Sequence, residues 1–374
     1  MDGQTPLIYK SFAQAGHWRA VCTPQIGFKA MGPRPGAYGG FFNGGPLNGR
    51  TRSSRLASQE HQMSDPIFTD WKPEHSAQWA SNPLCLAHSL PATPLFSLEA
   101  LAELIDGYPR QHYSLVEMGP QGSNRRLWRE GDIGGLKGVD VIEAISKGRM
   151  WLNLRNVSAV DKRYRDVLDQ IFEEVRGHVP GYDTYNRTSG ILISSPNAQV
   201  YYHMDLPGQS LWQLHGKKRV YVYPASAPYL TPQQLEKIAL YEVEVDVPYD
   251  PAYDAGAQVF EIGPGEMLHW PLNAPHRVEN FDCLNVSMTT EYWTESIRRA
   301  QMINVANGLL REKMRVTPKS RNTSGASFWA KAALQAGVRR SGLLKKARKS
   351  KRPIEFTLDQ AEPGRIIDLP QAAE

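Results

Sequence analysis

The sequence predicts a mainly β core, a sandwich or barrel of short strands, with α-helices flanking it on both the N-terminal and C-terminal sides. Three observations predict it. From Gly190 to Trp293 the apolar pattern repeats every two residues, and Pro, Gly, Asn and Asp interrupt it at short intervals. On either side of that region the repeat becomes helical. Across the 374 residues, 41% are hydrophobic and 22% charged, enough apolar material for a sizeable core and too much for a wholly disordered chain.

Residues 1–62 hold ten of the 31 glycines and show no sustained period, which predicts either an unstructured segment or an over-extended start with Met63 as the true first residue. Residues 63–149 read as a helix-rich N-terminal part. Ser97 caps a helix to about Ile105, with Leu98, Leu101 and Leu104 as its stripe, and Gly138 to Lys147 reads as another. Residues 150–293 form the β core region. Met150–Leu154 alternates like a strand, and Val157 to Arg176 reads as one helix with Leu168, Ile171, Phe172 and Val175 on one side. Strands are then expected at 190–195, 198–205, 210–224, 240–247, 257–262, 266–270, 276–280 and 284–293. Residues 294–352 read as C-terminal helices with a basic end: Glu295 to about Arg315, then Ser327 to about Lys346. Residues 353–374 read as a loose tail.

Composition narrows the function classes. No apolar run reaches the ~20 residues that span a bilayer, and the first residues lack the ordered regions of a signal peptide. Three widely spaced cysteines, Cys22, Cys85 and Cys283, make neither a disulfide framework nor a thiolate zinc site. A cytoplasmic protein without membrane contact is the expectation. The net charge of +5 is local: residues 339–352 carry eight Lys and Arg and no acid, leaving the rest at −3. That run reads either as a solvated helix end or as a contact for nucleic acid or another acidic partner.

The chemistry concentrates in Tyr201-Tyr202-His203-Met204-Asp205. On a strand, residues two apart share a face, so His203 and Asp205 project together, with Tyr201 beside them. A lone His-x-Asp is common, and a hydrogen-bonded pair is the bland reading. In the next strand the even positions Trp212, Leu214, Gly216, Val220 and Val222 are apolar or small, and Lys218 alone among them is charged. A buried ammonium needs a partner. A register change at Gly216 or a structural salt bridge are the bland accounts; a small-molecule carboxylate is the functional one. His276, 71 residues after Asp205, begins a later strand and brings a second imidazole. Two histidines and one carboxylate leave open positions on an Fe(II) ion.

The stretch HMDLPGQSLWQLHGKKRVYVYP from His203 to Pro224, with Gly265 to His276, resembles the JmjC family of Fe(II)- and 2-oxoglutarate-dependent oxygenases, especially its cupin-like asparaginyl-hydroxylase branch. The likeness covers roughly residues 150–293. It implies a double-stranded β-helix (cupin, jelly-roll) core, His203, Asp205 and His276 as iron ligands and catalytic centre, and Lys218 as the residue that binds the distal carboxylate of 2-oxoglutarate. Relatives often place a threonine where Val200 stands, so Tyr201 is the candidate hydroxyl for the cosubstrate. Asn285, Ser287 and Thr289 share one face of the last core strand and are further candidates; Glu291 stands where relatives have an asparagine. His269 reads as a packed histidine and Glu266 as a turn-stabilising acid.

The implied activity is a dioxygenase hydroxylating a substrate while 2-oxoglutarate becomes succinate, N-demethylation being the same chemistry. A protein or other macromolecule is slightly favoured as substrate, and a homodimer through the C-terminal helices is implied by the resemblance alone. The alternatives are a non-catalytic cupin-like regulator that binds a metal and a small acid, and a metal-dependent cupin enzyme that uses no 2-oxoglutarate.

Overall fold

The computed structural model describes residues 19–21, 65–119, 128–242, 247–341 and 353–370. The strands are β1 (Arg19–Val21), β2 (Leu84–Ala87), β3 (Tyr113–Glu117), β4 (Arg129–Asp132), β5 (Met150–Leu154), β6 (Tyr185–Ser194), β7 (Gln199–His203), β8 (Gly208–His215), β9 (Lys218–Val222), β10 (Gln258–Ile262), β11 (Glu266–His269), β12 (His276–Asn280), β13 (Asn285–Trp293), β14 (Ile354–Leu358) and β15 (Ile366–Asp368). The helices are α1 (Pro73–Gln78), α2 (Leu98–Asp106), α3 (Gly138–Lys147), α4 (Val157–Val160), α5 (Lys162–His178), α6 (Pro232–Tyr241), α7 (Glu295–Glu312) and α8 (Gly325–Arg340).

Strands β6 to β13 make the double-stranded β-helix. Four of them lie side by side in the order β6-β13-β8-β11 and four in the order β7-β12-β9-β10, so the chain passes repeatedly between two sheets. The first set is extended by β5, β3, β4, β14 and β15 on one edge and β2 on the other, giving ten strands; β1 adds to the second set in parallel to β10. Inside the barrel, Leu211, Val220, Val222, Phe260, Ile262, Leu268 and Val278 form one apolar cluster. Outside the ten-stranded sheet, α2, α3 and α5 pack Leu101, Ile105, Val141, Ile145 and Ile171 against Trp212, Leu214 and Met288. Outside the smaller sheet, α6 and α7 cover Tyr202, Met204 and Tyr223.

Several sequence expectations change. The expected strand 210–224 is two strands in different sheets, broken at Gly216, which takes φ +70 where an added Cβ would lie 2.2 Å from the Leu284 carbonyl. The expected helix from Val157 to Arg176 divides at Asp161, whose carboxylate accepts the Arg163 N–H and caps α5. Residues 240 and 241 end α6 instead of starting a strand; 243–246 lie outside the described residues. The N-terminal part contributes strands β2, β3 and β4 to the large sheet as well as helices. The tail 353–374 is not loose in its described part: β14 lies parallel to β4, Phe356 packs against Gly131, and β15 closes the edge. Of residues 1–62 only Arg19–Val21 is described, and it forms a strand. Residues 342–352, the greater part of the basic run, lie outside the described residues. No helix among the described residues is long and apolar enough to cross a membrane.

Candidate metal centre and cosubstrate pocket

Strand β7 delivers the first two donors. Its neighbours alternate as a half-buried strand must: Tyr202 and Met204 pack outward on the α6–α7 layer, which turns His203 and Asp205 into the barrel. His276 opens β12 directly opposite His203 in the antiparallel ladder, with ring centroids 4.1 Å apart. Asp205 Oδ2 lies 3.3 Å from His276 Nε2. One donor atom from each of the three residues lies within 4.8 Å of the others, the grouping that one ion coordinated at ~2.1 Å requires.

The imidazoles are oriented by main-chain carbonyls. His203 Nδ1 is 2.8 Å from the Tyr201 carbonyl and His276 Nδ1 is 3.0 Å from the Ala274 carbonyl. Each Nδ1 thus donates its proton and each Nε2 keeps a lone pair for a metal. Burial pushes His276 down to about 4, with the Ala274 carbonyl opposing, so the ring stays neutral at pH 7. Desolvation raises the Asp205 carboxyl, against the pull of His203. The Gln209 carboxamide faces the Asp205 carboxylate, and the amide orientation that satisfies both groups has its nitrogen donating to Asp205; Asn273 Nδ2 donates to the Asp205 carbonyl at 2.7 Å. Neither Gln209 nor Asn273 was identified from the sequence; the Asp-Leu-Pro-Gly-Gln spacing carries no signal for them.

Lys218 sits on the same inward face. Val222 pairs with His276, and Lys218 lies four residues earlier on β9, about 13 Å along the strand. It is 4% exposed, and its Nζ donates to Ser287 Oγ at 2.6 Å, across from one sheet to the other. Desolvation lowers it to about 7. No acid forms a salt bridge with it among the described residues. Ser287 in turn donates to Gln213 Oε1 at 2.7 Å, and Gln213 Nε2 donates to Asn285 Oδ1 at 2.7 Å. Asn285 therefore braces Gln213 and the Cys283 carbonyl from behind, Ser287 touches Lys218, and Thr289 lies further along the face in a cavity with His203 and Asp205.

That cavity, of about 380 Å³, is walled by Trp128, Trp151, Arg155 and Glu291. Burial, then the Asp205 charge, raises Glu291 to about 7. The tryptophans and Arg155 come from β5 and the segments flanking it and β4, and no motif announced them. A bulge between His276 and Val278 sets Val200, not Tyr201, opposite Val278 and into this cavity. Tyr201 rests 5.9 Å from Trp128, and its Oη is buried with no hydrogen-bond partner among the described residues. His269 points elsewhere, stacked on Trp79 at 4.0 Å with Nδ1 3.0 Å from Ser210 Oγ. Glu266 Oε2 accepts the Gly263 N–H at 2.7 Å and holds the turn.

The residues present fit a divalent metal and a dianionic cosubstrate. Two imidazoles and a carboxyl group converge, and a buried ammonium that forms no salt bridge with an acid among the described residues lies on the same inward face. The fold and the site together define a double-stranded β-helix protein in which two histidines and one carboxylate converge as a candidate metal centre.

No family model matches the chain, and no curated protein matches it. Among solved structures it is similar to ycfD of Escherichia coli at 14% identity and TM-score 0.42, over 78% of this chain and 76% of that chain. YcfD, a ribosomal oxygenase, in complex with cobalt and 2-oxoglutarate gives 14% identity and TM-score 0.42 over 78% and 75%. Its complex with cobalt and succinic acid gives 15% and 0.39 over the same shares.

Proposed function

We propose that this protein is an Fe(II)- and 2-oxoglutarate-dependent oxygenase that hydroxylates its substrate. The observation that carries the reading is the pairing of His203, Asp205 and His276 with a buried Lys218 that has no acidic partner among the described residues, both on one inward face. Iron with 2-oxoglutarate supplies dioxygen activation coupled to decarboxylation of the cosubstrate to succinate. The chain's own part is positional. His203, Asp205 and His276 occupy three ligand sites and leave the others open. Lys218 and Ser287 take the distal carboxylate of the cosubstrate, and Tyr201 offers a further hydroxyl. Trp128 and Trp151 wall the approach and keep it dry. The resemblance of His203–Pro224 to the JmjC family supports this assignment, and a protein or other macromolecular substrate would enter the cavity that the edge-packed Trp128 and Trp151 wall.

Anaerobic titration of the protein with Fe(II) and 2-oxoglutarate tests the reading. A visible charge-transfer band is expected in wild type, absent in His203→Ala and weakened in Lys218→Ala. Stoichiometric iron binding without any band refutes the cosubstrate assignment and favours a cupin that uses its metal differently.

A further inference from the structure

The C-terminal helices carry a charge that the metal centre does not explain. Residues 295–341 hold ten Lys and Arg against only Glu295 and Glu312, a formal +8, while the rest of the chain sums to −3. Glu295 is already taken by Arg298 and Arg299. Arg311 and Arg321 are taken by Glu236, which is buried on α6. Lys313, Arg315, Lys319, Arg339 and Arg340 are exposed and form no salt bridge among the described residues. Charge of one sign concentrated on a single layer is the footprint of a polyanion site.

Aromatic placement narrows the polyanion. Trp329 is 61% exposed, the most exposed aromatic side chain among the described residues. One side of it is engaged: Phe328 meets it edge-on at 5.1 Å, and the Arg299 guanidinium lies 5.9 Å from its centroid. The other side is open. Further along α8, a cavity of about 420 Å³ is lined by α7 and α8 together with β6 and α6; it holds Arg298 and Arg339, the carboxamides of Gln301 and Gln335, the indole of Trp293 and one acid, Glu242. A flat ring, amides for a base edge and guanidiniums for phosphate are the groups that unstacked nucleotides use. A lipid surface fits poorly, because the other exposed apolar positions of α8, among them Gly325, Ala326, Ala330, Ala333 and Ala336, are small and offer little apolar area.

We propose that the α7–α8 layer binds single-stranded nucleic acid, with Trp329 as a base-stacking platform and Arg339, which forms no salt bridge among the described residues, on the backbone. The proposal stands apart from the metal centre: His203→Ala should bind nucleic acid as wild type does. The test is fluorescence anisotropy of the full chain with a labelled single-stranded oligonucleotide of mixed sequence, in RNA and DNA arms, at about 0.15 M salt. The same strand as duplex, heparin and anionic vesicles serve as comparators.

Single strands should bind better than duplex, and affinity should fall steeply with salt. Trp329→Ala should weaken strand binding about tenfold and leave heparin binding unchanged, while Trp329→Phe retains most of it. Arg339→Gln should flatten the salt slope. The RNA and DNA arms show whether the 2′-hydroxyl contributes. Both positions are exposed, so circular dichroism and melting should not change. Absence of salt-dependent binding, indifference of strand binding to Trp329→Ala, or preference for vesicles would each overturn the proposal.

Discussion

Replacing Lys218 with methionine separates its cost to folding from its use in binding. The ammonium is buried and lowered to about 7, whereas an unfolded lysine titrates near ~10.4. Between those two values the unfolded chain holds more protons than the folded one, so stability rises with pH across that window and is flat below it. The full span corresponds to several kcal/mol. Lys218→Met has a similar volume and no charge to desolvate, and Ser287 keeps its bond to Gln213. The variant should therefore be more stable than wild type at pH 7 by a few kcal/mol, and the gap should close towards pH 10. Urea midpoints at pH 7, 8, 9 and 10 measure this. The same variant should lose affinity for 2-oxoglutarate by roughly 30-fold to several thousand-fold, the ~2–5 kcal/mol of a truncated buried charge pair, while metal binding is unchanged. Binding to wild type at pH above 7 should take up a proton, visible by calorimetry in buffers of different ionisation enthalpy. A methionine variant that is less stable at pH 7, or that binds 2-oxoglutarate within threefold of wild type, refutes the argument.

Three further outcomes follow from the geometry. Gln209→Ala removes the donor to Asp205 and should lower metal affinity about 10- to 100-fold, read by competition with a chelating dye, with no change in the circular dichroism spectrum. Tyr201→Phe removes an orphaned hydroxyl; if the cosubstrate supplies its partner, 2-oxoglutarate affinity should fall about fivefold to tenfold, the ~1–1.5 kcal/mol of one hydrogen bond, and equal affinity would exclude Tyr201 from the pocket. Gly216→Ala forces a side chain into the left-handed region and against the Leu284 carbonyl, and should cost at least about 2 kcal/mol by chemical denaturation, without altering the ligand set.

The inward placement of His203 and Asp205 was legible in the sequence because strand alternation decides it. Tyr202 and Met204 are apolar enough to demand an outer layer, which leaves His203 and Asp205 facing inward. Lys218 was also read as inward, but on a reason the structure replaces. Trp212 and Leu214 do not share its face: they belong to β8, in the other sheet, and pack outward against the helices. Gly216 breaks the strand and restarts the count, so parity across it meant nothing. A bulge did the same to Val200 and Tyr201, with no glycine or proline inside β7 or β12 to signal it. The cavity wall was illegible for a different reason. Trp128, Trp151 and Arg155 reach the metal only through the pairing of β3, β5 and β6, and such non-local pairing has no local pattern.

The division of labour between the two sheets follows from the same registers. His203, His276 and Lys218 all stand on the smaller sheet, on three strands laid side by side, and Asp205 follows β7 directly. Gln213, Asn285 and Ser287 stand on the larger sheet and contribute neutral hydrogen bonds. The spacing from the candidate ligand triad to the ammonium is therefore set along hydrogen-bonded ladders, His203 to His276 to Val222 and then four residues down β9, and not by how closely the sheets pack. Ladder registers change in whole residues, whereas packing relaxes continuously. Cavities made in the helical core outside the larger sheet, at Leu101 or Ile145, should accordingly lower stability while leaving the spacing from His203 and His276 to Lys218 unchanged. A substitution that slips β12 against β9 by even one residue should destroy binding of both.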